Sequence, residues 1–491
     1  MRKEELLLLP VLFLLAVFSI KIITAEGNPL KFLFLFQIVS IFCLVALLDV
    51  KASILLVFLW LPFKGLVRRL FYLIAPFTRY DVIHLTEAFY LLFLMIYLLM
   101  RMRREIAEAY SKNKIFRVYL FLLFIFFLQI FNPLQGNVLV GLAGSIYTIF
   151  PALWFIPGLL FGDEEFVKKV LKVLLITAFI TALYGIFQFF YGLMPFEEYW
   201  IRNVQKQYVT VKMWGHPRAF SSFMSPDESS RFFAIGGAIM IGNLIFERTI
   251  FSIPFIVPIL LALVFTGVRS SVFSLLFAVL IIFSLTAKEV KKAFIRGIVI
   301  FFAFYALLEL FVSPPPGPKG RMEVTEFYYF HIMRGLKAPT AEQTFQTRLK
   351  IWKFYLTDYI IKYPFGHGLG SGTLAARKFG GEAYGTESYL FALLPCSGIP
   401  GFFTFIYLFY LLFRNFNEIL KSTTTYKIAF SVLSLIALSS FFGGALGMPS
   451  TGPVGWFLAG VLSNLFTKSP EFKSQSEKGD HSIDKGVQDI T

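Results

Sequence analysis

Ser313-Pro314-Pro315-Pro316-Gly317-Pro318 opens the one long polar interval of this chain. The interval continues through Thr347-Arg348-Leu349-Lys350-Ile351-Trp352 and Tyr363-Pro364-Phe365-Gly366-His367-Gly368-Leu369-Gly370. It hands over to an apolar run at Gly385-Thr386-Glu387-Ser388-Tyr389-Leu390. On either side, apolar runs recur, each long enough to cross a hydrocarbon core about 30 Å thick. That contrast decides the fold class: an all-α, polytopic transmembrane helical bundle with a large, partly helical outer loop. Structureless segments of this length between spans are rare unless they carry function.

Composition agrees. The chain has 491 residues, of which 57% are hydrophobic and 15% charged, against roughly 25% charged in soluble domains. Its 62 phenylalanines suit a lipid-facing surface. Cys43 and Cys396 both lie in apolar runs and give neither a disulfide framework nor a metal-ligand spacing. The formal charge of +16 comes from lysines and arginines that sit mostly at span ends. Orientation and anionic membrane lipid account for them, and nucleic acid is not an expected partner.

Spans are expected near 5–24, 32–49, 82–100, 115–131, 138–161, 169–192, 231–247, 250–266, 269–286, 293–312, 388–413, 425–443 and 449–466. The first follows Arg2 and Lys3 without a small-residue cleavage site, so it reads as an uncleaved span. The stretch 52–77 is ambiguous. It is apolar but interrupted by Pro62, Lys64, Arg68 and Arg69, which would be costly at mid-depth unless they face protein or water. With it the thirteen spans become fourteen crossings, in an overall range of about 12–14. The dense basic loop from Arg101 to Arg117, the lysines 168–172 and the cluster from Lys288 to Arg296 belong in the cytoplasm. Counting from them puts 194–230 and 313–386 outside, in a 1–467 membrane domain. The polar tail 468–491 is expected to be a disordered cytoplasmic segment, and both termini are cytoplasmic if 52–77 crosses.

The outer loops hold the candidate chemistry. The large one carries ten Lys/Arg against five Asp/Glu, which is either plain solvation or a site for an anion. Arg218 stands in a Pro/Gly/Ser-rich turn and reads as a snorkelling interfacial arginine or a ligand. Arg269, in Thr266-Gly267-Val268-Arg269-Ser270-Ser271, joins two apolar runs by a tight turn. At headgroup level it needs a partner, and phosphate oxygens match the guanidinium fork. Arg348 precedes Trp352 by four residues, so a helix there puts both on one face. Arg79 beside Asp81 is a local ion pair or a secondary site, as is His216. His367, flanked by Gly366 and Gly368, is a turn residue or a base. Glu387 is an acid favoured at the start of a helix or a general base at the membrane surface. There is no metal cluster and no Walker-type loop, so neither metal nor cofactor is expected.

Several of these stretches in order resemble the bacterial O-antigen ligase and O-antigen polymerase family. They are His216-Pro217-Arg218-Ala219-Phe220 with Ser225-Pro226-Asp227, the turn 266–271, and Arg348 with Trp352. They continue with Pro364 to Gly370, and Glu387-Ser388-Tyr389-Leu390 through Gly398-Ile399-Pro400-Gly401. The likeness spans roughly 200–410. It implies a metal-independent, membrane-embedded glycosyltransferase of the inner membrane, using a glycan on undecaprenyl diphosphate as donor. The acceptor would be a sugar of lipid A core or of a second lipid-linked glycan. Arginines matching Arg218, Arg269 and Arg348 would hold the diphosphate. Family ligases carry a histidine near the end of the large loop, where this chain reads Glu387. Glu387 or His367 would therefore activate the acceptor. The competing readings are a transporter or flippase of lipid-linked oligosaccharide and a non-catalytic envelope scaffold.

Overall fold

The computed structural model describes residues 29–75, 82–203, 212–213, 216–248, 253–311 and 343–467, with positions 331, 333 and 335 between them. The expected span 5–24, Arg79, Asp81, the tail 468–491 and the side chain of His216 lie outside the described residues.

The described chain is all-helical apart from a pair of two-residue strands, β1 (Lys212–Met213) and β2 (His216–Pro217). In chain order the helices that matter below are α1 (Pro29–Leu48), α2 (Val50–Trp60), α3 (Lys64–Ile74), α4 (Thr86–Arg101) and α5 (Lys114–Gln129). They continue with α6 (Val138–Ser145), α7 (Phe155–Phe161), α8 (Glu164–Tyr191), α9 (Pro226–Glu247), α10 (Ile253–Phe265) and α11 (Arg269–Ser284). The last are α12 (Val290–Phe311), α13 (Gln343–Phe354), α14 (Tyr389–Phe413), α15 (Thr424–Phe442) and α16 (Gly452–Thr467). Each expected span from 32–49 onward coincides with a helix or a bent pair of helices. By length and apolarity alone, six helices among the described residues can cross a membrane, or eight if each of two bent pairs counts as one span. The shorter α10 and α11 have 13 and 16 residues.

Small residues draw the central helices together. A Cβ on Gly158 of α7 would stand 2.0 Å from the Phe457 carbonyl oxygen, and one on Gly460 of α16 would stand 2.0 Å from that of Phe155. The two backbones touch at reciprocal glycines. This is how helices associate where lipid removes the hydrophobic drive.

The ambiguous stretch 52–77 is broken. α2 and α3 meet at a 65° bend around Pro62, where proline cannot continue the hydrogen-bond ladder. Its cations face protein. Lys64 Nζ lies 2.8 Å from Glu87 Oε2. Arg69 is fully buried, donates to the carbonyls of Phe223 and Ser221, and lies 3.4 Å from Glu197 Oε1. Glu197 is itself fully buried and accepts from Tyr184 Oη at 2.9 Å, Gln188 Nε2 at 2.7 Å and the Met194 N–H at 3.1 Å. The Gln188 side-chain oxygen holds the Ser221 N–H, fixing that residue at φ 54°. α3 is thereby clamped onto the turn 219–224 that follows Arg218. Breaking a buried pair by removing one partner costs about 3–5 kcal/mol. Glu197→Ala should lower the unfolding temperature of the detergent-solubilised protein sharply, and an unchanged melting curve would show the clamp to be dispensable.

Candidate functional site

The arginine-bearing turn comes first. α10 ends at Phe265, Gly267 takes φ 66°, and α11 begins at Arg269 behind an extended Val268 that offers no side-chain cap. The Ser271 N–H of that first turn donates to the Val268 carbonyl at 3.3 Å, while those of Arg269 and Ser270 have no partner inside the helix, which favours negative charge there. Arg218 reaches this turn from the other loop. Its Nε donates to the Thr266 carbonyl at 2.8 Å, and the Ala219 N–H donates to Phe265 at 3.0 Å. Gly335 of the large loop lies against Arg269, since a Cβ there would meet its Cδ at 2.2 Å. Arg218 and Arg269 thus share one turn.

Arg348 and Glu387 meet directly. α13 carries both Arg348 and Trp352 on one face, as the four-residue spacing predicts. Trp352 is buried, stacks on Phe391 at 4.7 Å between ring centroids and donates to the Thr386 carbonyl at 3.2 Å. One turn back, Arg348 Nε contacts Glu387 Oε2 at 2.8 Å. Glu387 is exposed and sits at φ 51°, a left-handed conformation that costs a β-carbon residue of order 1–3 kcal/mol. Ser388, not Glu387, caps α14 by accepting the Phe391 N–H. Glu387 lines a cavity of about 330 Å³ together with Thr373, Arg377, Tyr384 and Thr386.

His367 stands behind that cavity. The kink of α14 at Gly398 (φ 64°) diverts the Ile399 N–H to the Pro364 carbonyl at 2.8 Å. The Pro395 carbonyl is left to accept the His367 N–H at 2.8 Å and Ser371 Oγ at 2.8 Å. The Ile399 N–H and the Pro395 carbonyl, both freed at the kink, thus find loop partners. The loop can enter because Gly366 and Gly368 take φ 76° and 113°. The imidazole is 6% exposed, too little to touch an acceptor itself. Tyr359 Oη meets its Nδ1, and Tyr384 Oη lies 3.0 Å from its Nε2. Tyr359 arrives through a π-helical turn, Tyr355–Tyr359, of a kind frequent at functional sites.

A chain of contacts joins the two halves. Ser230 of α9 bonds Ser271 of α11 at 2.7 Å. The next residue, Arg231, is buried, pairs with Asp227, and packs against Gly443 at the end of α15, where a Cβ would meet its guanidinium at 1.9 Å. The Gly443 carbonyl accepts the Tyr389 N–H at 2.6 Å, two residues from Glu387. Arg218, Arg269, Arg348 and Glu387 are linked through the N-terminal ends of α9, α11 and α14. Sequence reading missed Arg231, which passed as the first residue of a span, and also Tyr384 and Arg377. The tyrosines at 355, 359, 363 and 384 were the available signal for Tyr384. Among the described residues, no group of three or more His, Cys, Asp or Glu could hold a metal ion.

Burial pushes the His367 pKa below the ordinary histidine value; Glu382 pulls it up and Lys362 adds to the lowering. Unfolded, the ring takes a proton as pH falls below about 6.5, while the folded ring resists until lower pH. Stability is therefore complete above the unfolded value and declines as pH drops below it, levelling off beneath the folded pKa. A pH series of melting temperatures should show this slope in the wild type and a weaker one in His367→Gln.

A family model described as O-antigen ligase matches residues 254–406. The matched stretch contains the turn 266–271, Arg348, His367 and Glu387, and it begins after Arg218. No curated protein and no solved structure matches the chain. The resemblance expected from the motifs holds over that range. With the apolar helices, it supports a multi-pass inner-membrane protein of glycan transfer in O-antigen assembly.

Proposed function

With residues 254–406 matching the O-antigen ligase family as the premise, we propose that this chain transfers an oligo- or polysaccharide from an undecaprenyl-diphosphate carrier to a sugar hydroxyl at the periplasmic face. Both termini are cytoplasmic if the bent pair α2 and α3 crosses as one span. Arg218 and Arg269, with the uncapped start of α11, hold the diphosphate, and Arg348 completes the charge on the cavity side. The acceptor oxygen bonds to the donor's anomeric carbon as the bond from that carbon to the diphosphate oxygen breaks. The acceptor proton passes to the Glu387 carboxylate, and the lipid diphosphate leaves as the anion. Guanidinium groups aimed at the leaving oxygen stabilise charge that develops in the transition state, so no metal is required.

The observation that carries this reading is the chain of contacts from the arginine turn to Glu387. Glu387 is preferred to His367 as the base because it faces the cavity, whereas both imidazole nitrogens are engaged by tyrosines. The transporter reading needs charges along a mid-membrane path, but Lys64 and Arg69 are sealed in protein by Glu87 and Glu197. The test is reconstitution in vesicles with a defined undecaprenyl-diphosphate glycan. Lipid A core and a second lipid-linked glycan are offered separately as acceptors. Attachment to core marks a ligase and chain elongation a polymerase. Flipping of the donor without any covalent product would return the chain to the transporters.

A further inference from the structure

Tyr384 has a hydrogen-bond capacity that its neighbours leave incomplete. Its hydroxyl donates to Glu382 Oε2 at 2.8 Å. A phenol has one proton, so toward His367 Nε2, 3.0 Å away, Tyr384 Oη can only accept. That makes Nε2 the protonated nitrogen. Nδ1 carries none and accepts from Tyr359 Oη. The tautomer is set from both sides, and the Tyr384 oxygen keeps one acceptor position. The same side chain lines the cavity that Glu387 faces. Its ring is fixed by contact with His367 at 4.6 Å and Tyr359 at 5.5 Å between centroids.

We propose that Tyr384 is the acceptor-binding residue of this cavity. Its oxygen accepts a hydrogen bond from the incoming glycan and orients the attacking sugar hydroxyl toward Glu387, while His367 is the positioning residue that aims the phenol. This rests on the glycan-transfer reading and adds to it the acceptor subsite: a neutral hydroxyl donor read by a phenol oxygen, beside Arg377. Glu387 takes the proton as the glycosidic bond forms. Tyr384 remains a phenol throughout and is neither oxidised nor acylated. Burial, with help from Glu382, pushes its pKa up, so it does not compete as a base.

The experiment uses full-length protein in vesicles with a synthetic undecaprenyl-diphosphate oligosaccharide as donor. The acceptor is whichever of lipid A core or lipid-linked glycan supports transfer. Tyr384→Phe should raise the acceptor KM and lower kcat together, about 10- to 100-fold in kcat/KM, with the donor KM within about twofold. His367→Gln keeps an N–H donor to Tyr384 and should recover much of the rate lost in His367→Phe. Melting temperatures of all variants separate these effects from misfolding. The inference is overturned if Tyr384→Phe is kinetically neutral. It is equally overturned if donor and acceptor KM rise alike while Gln rescues no better than Phe. Arg269→Ala, run beside them, distinguishes the two levels. If it abolishes transfer while Tyr384→Phe is neutral, only the acceptor subsite falls. If Arg269→Ala is as active as wild type, the reading beneath it falls as well.

Discussion

Arg269→Ala is expected to lower kcat about 100- to 1,000-fold, the scale seen when one preorganised donor to a developing anion is removed, while the protein still inserts and folds. The argument is local. Arg269 is the first residue of α11, so its guanidinium adds to the partial positive charge of that helix start. Arg218 is tied to the same turn through the Thr266 carbonyl, so in the proposed site the two cations would act on one ligand. A diphosphate held by both loses the fork that spans two oxygens when Arg269 is shortened. Arg269→Lys keeps the charge but not the bidentate geometry and should recover only part of the rate. Transfer of a radiolabelled donor glycan, normalised to membrane-inserted protein, reads the effect. Normal glycan attachment in cells carrying only Arg269→Ala would remove the diphosphate site from this turn.

The helices were legible because their code is crude. Runs of apolar residues long enough to span give the same answer whatever they pack against. The turn at 266–271 was legible for a similar reason: two apolar runs so close in sequence must be joined tightly, and α10 ends at Phe265 while α11 begins at Arg269. The pairing of Arg348 with Trp352 also followed from spacing alone. What stayed hidden depends on partners far away in the chain. Lys64 and Arg69 looked expensive because Glu87 and Glu197 belong to other segments. Arg231 looked like the edge of a span because nothing local shows that it packs on Gly443. His367 read as a turn residue, and it is one. Only the break at Gly398, thirty-one residues on, explains why its backbone is held by Pro395. Its link to the cavity passes through Tyr384, a residue that no motif marks.

Glu387→Gln should lower kcat about 100- to 10,000-fold, the range general base catalysis contributes, with donor KM little changed. The substitution preserves volume and hydrogen bonding and removes only the capacity to take a proton. Backbone effects need a control, because Glu387 is held at φ 51°. Asn tolerates that region better than Glu does, so Glu387→Asn should fold at least as well as the wild type and remain inactive, separating conformation from chemistry. Arg348 supplies the second control. Its Nε contact at 2.8 Å aims the carboxylate, so Arg348→Ala should cost less than Glu387→Gln, and the double variant should lose less than the sum of the two single losses. Two groups in contact that serve one step are not additive. The resemblance to the ligase family matches Glu387 to a histidine, so Glu387→His is the informative rescue. A histidine here would be neutral and basic near pH 7, and partial recovery with a rate that climbs through the histidine range would identify the position as the base. Additive losses in the double variant, or a Gln variant within twofold of wild type, would move the base elsewhere in the cavity.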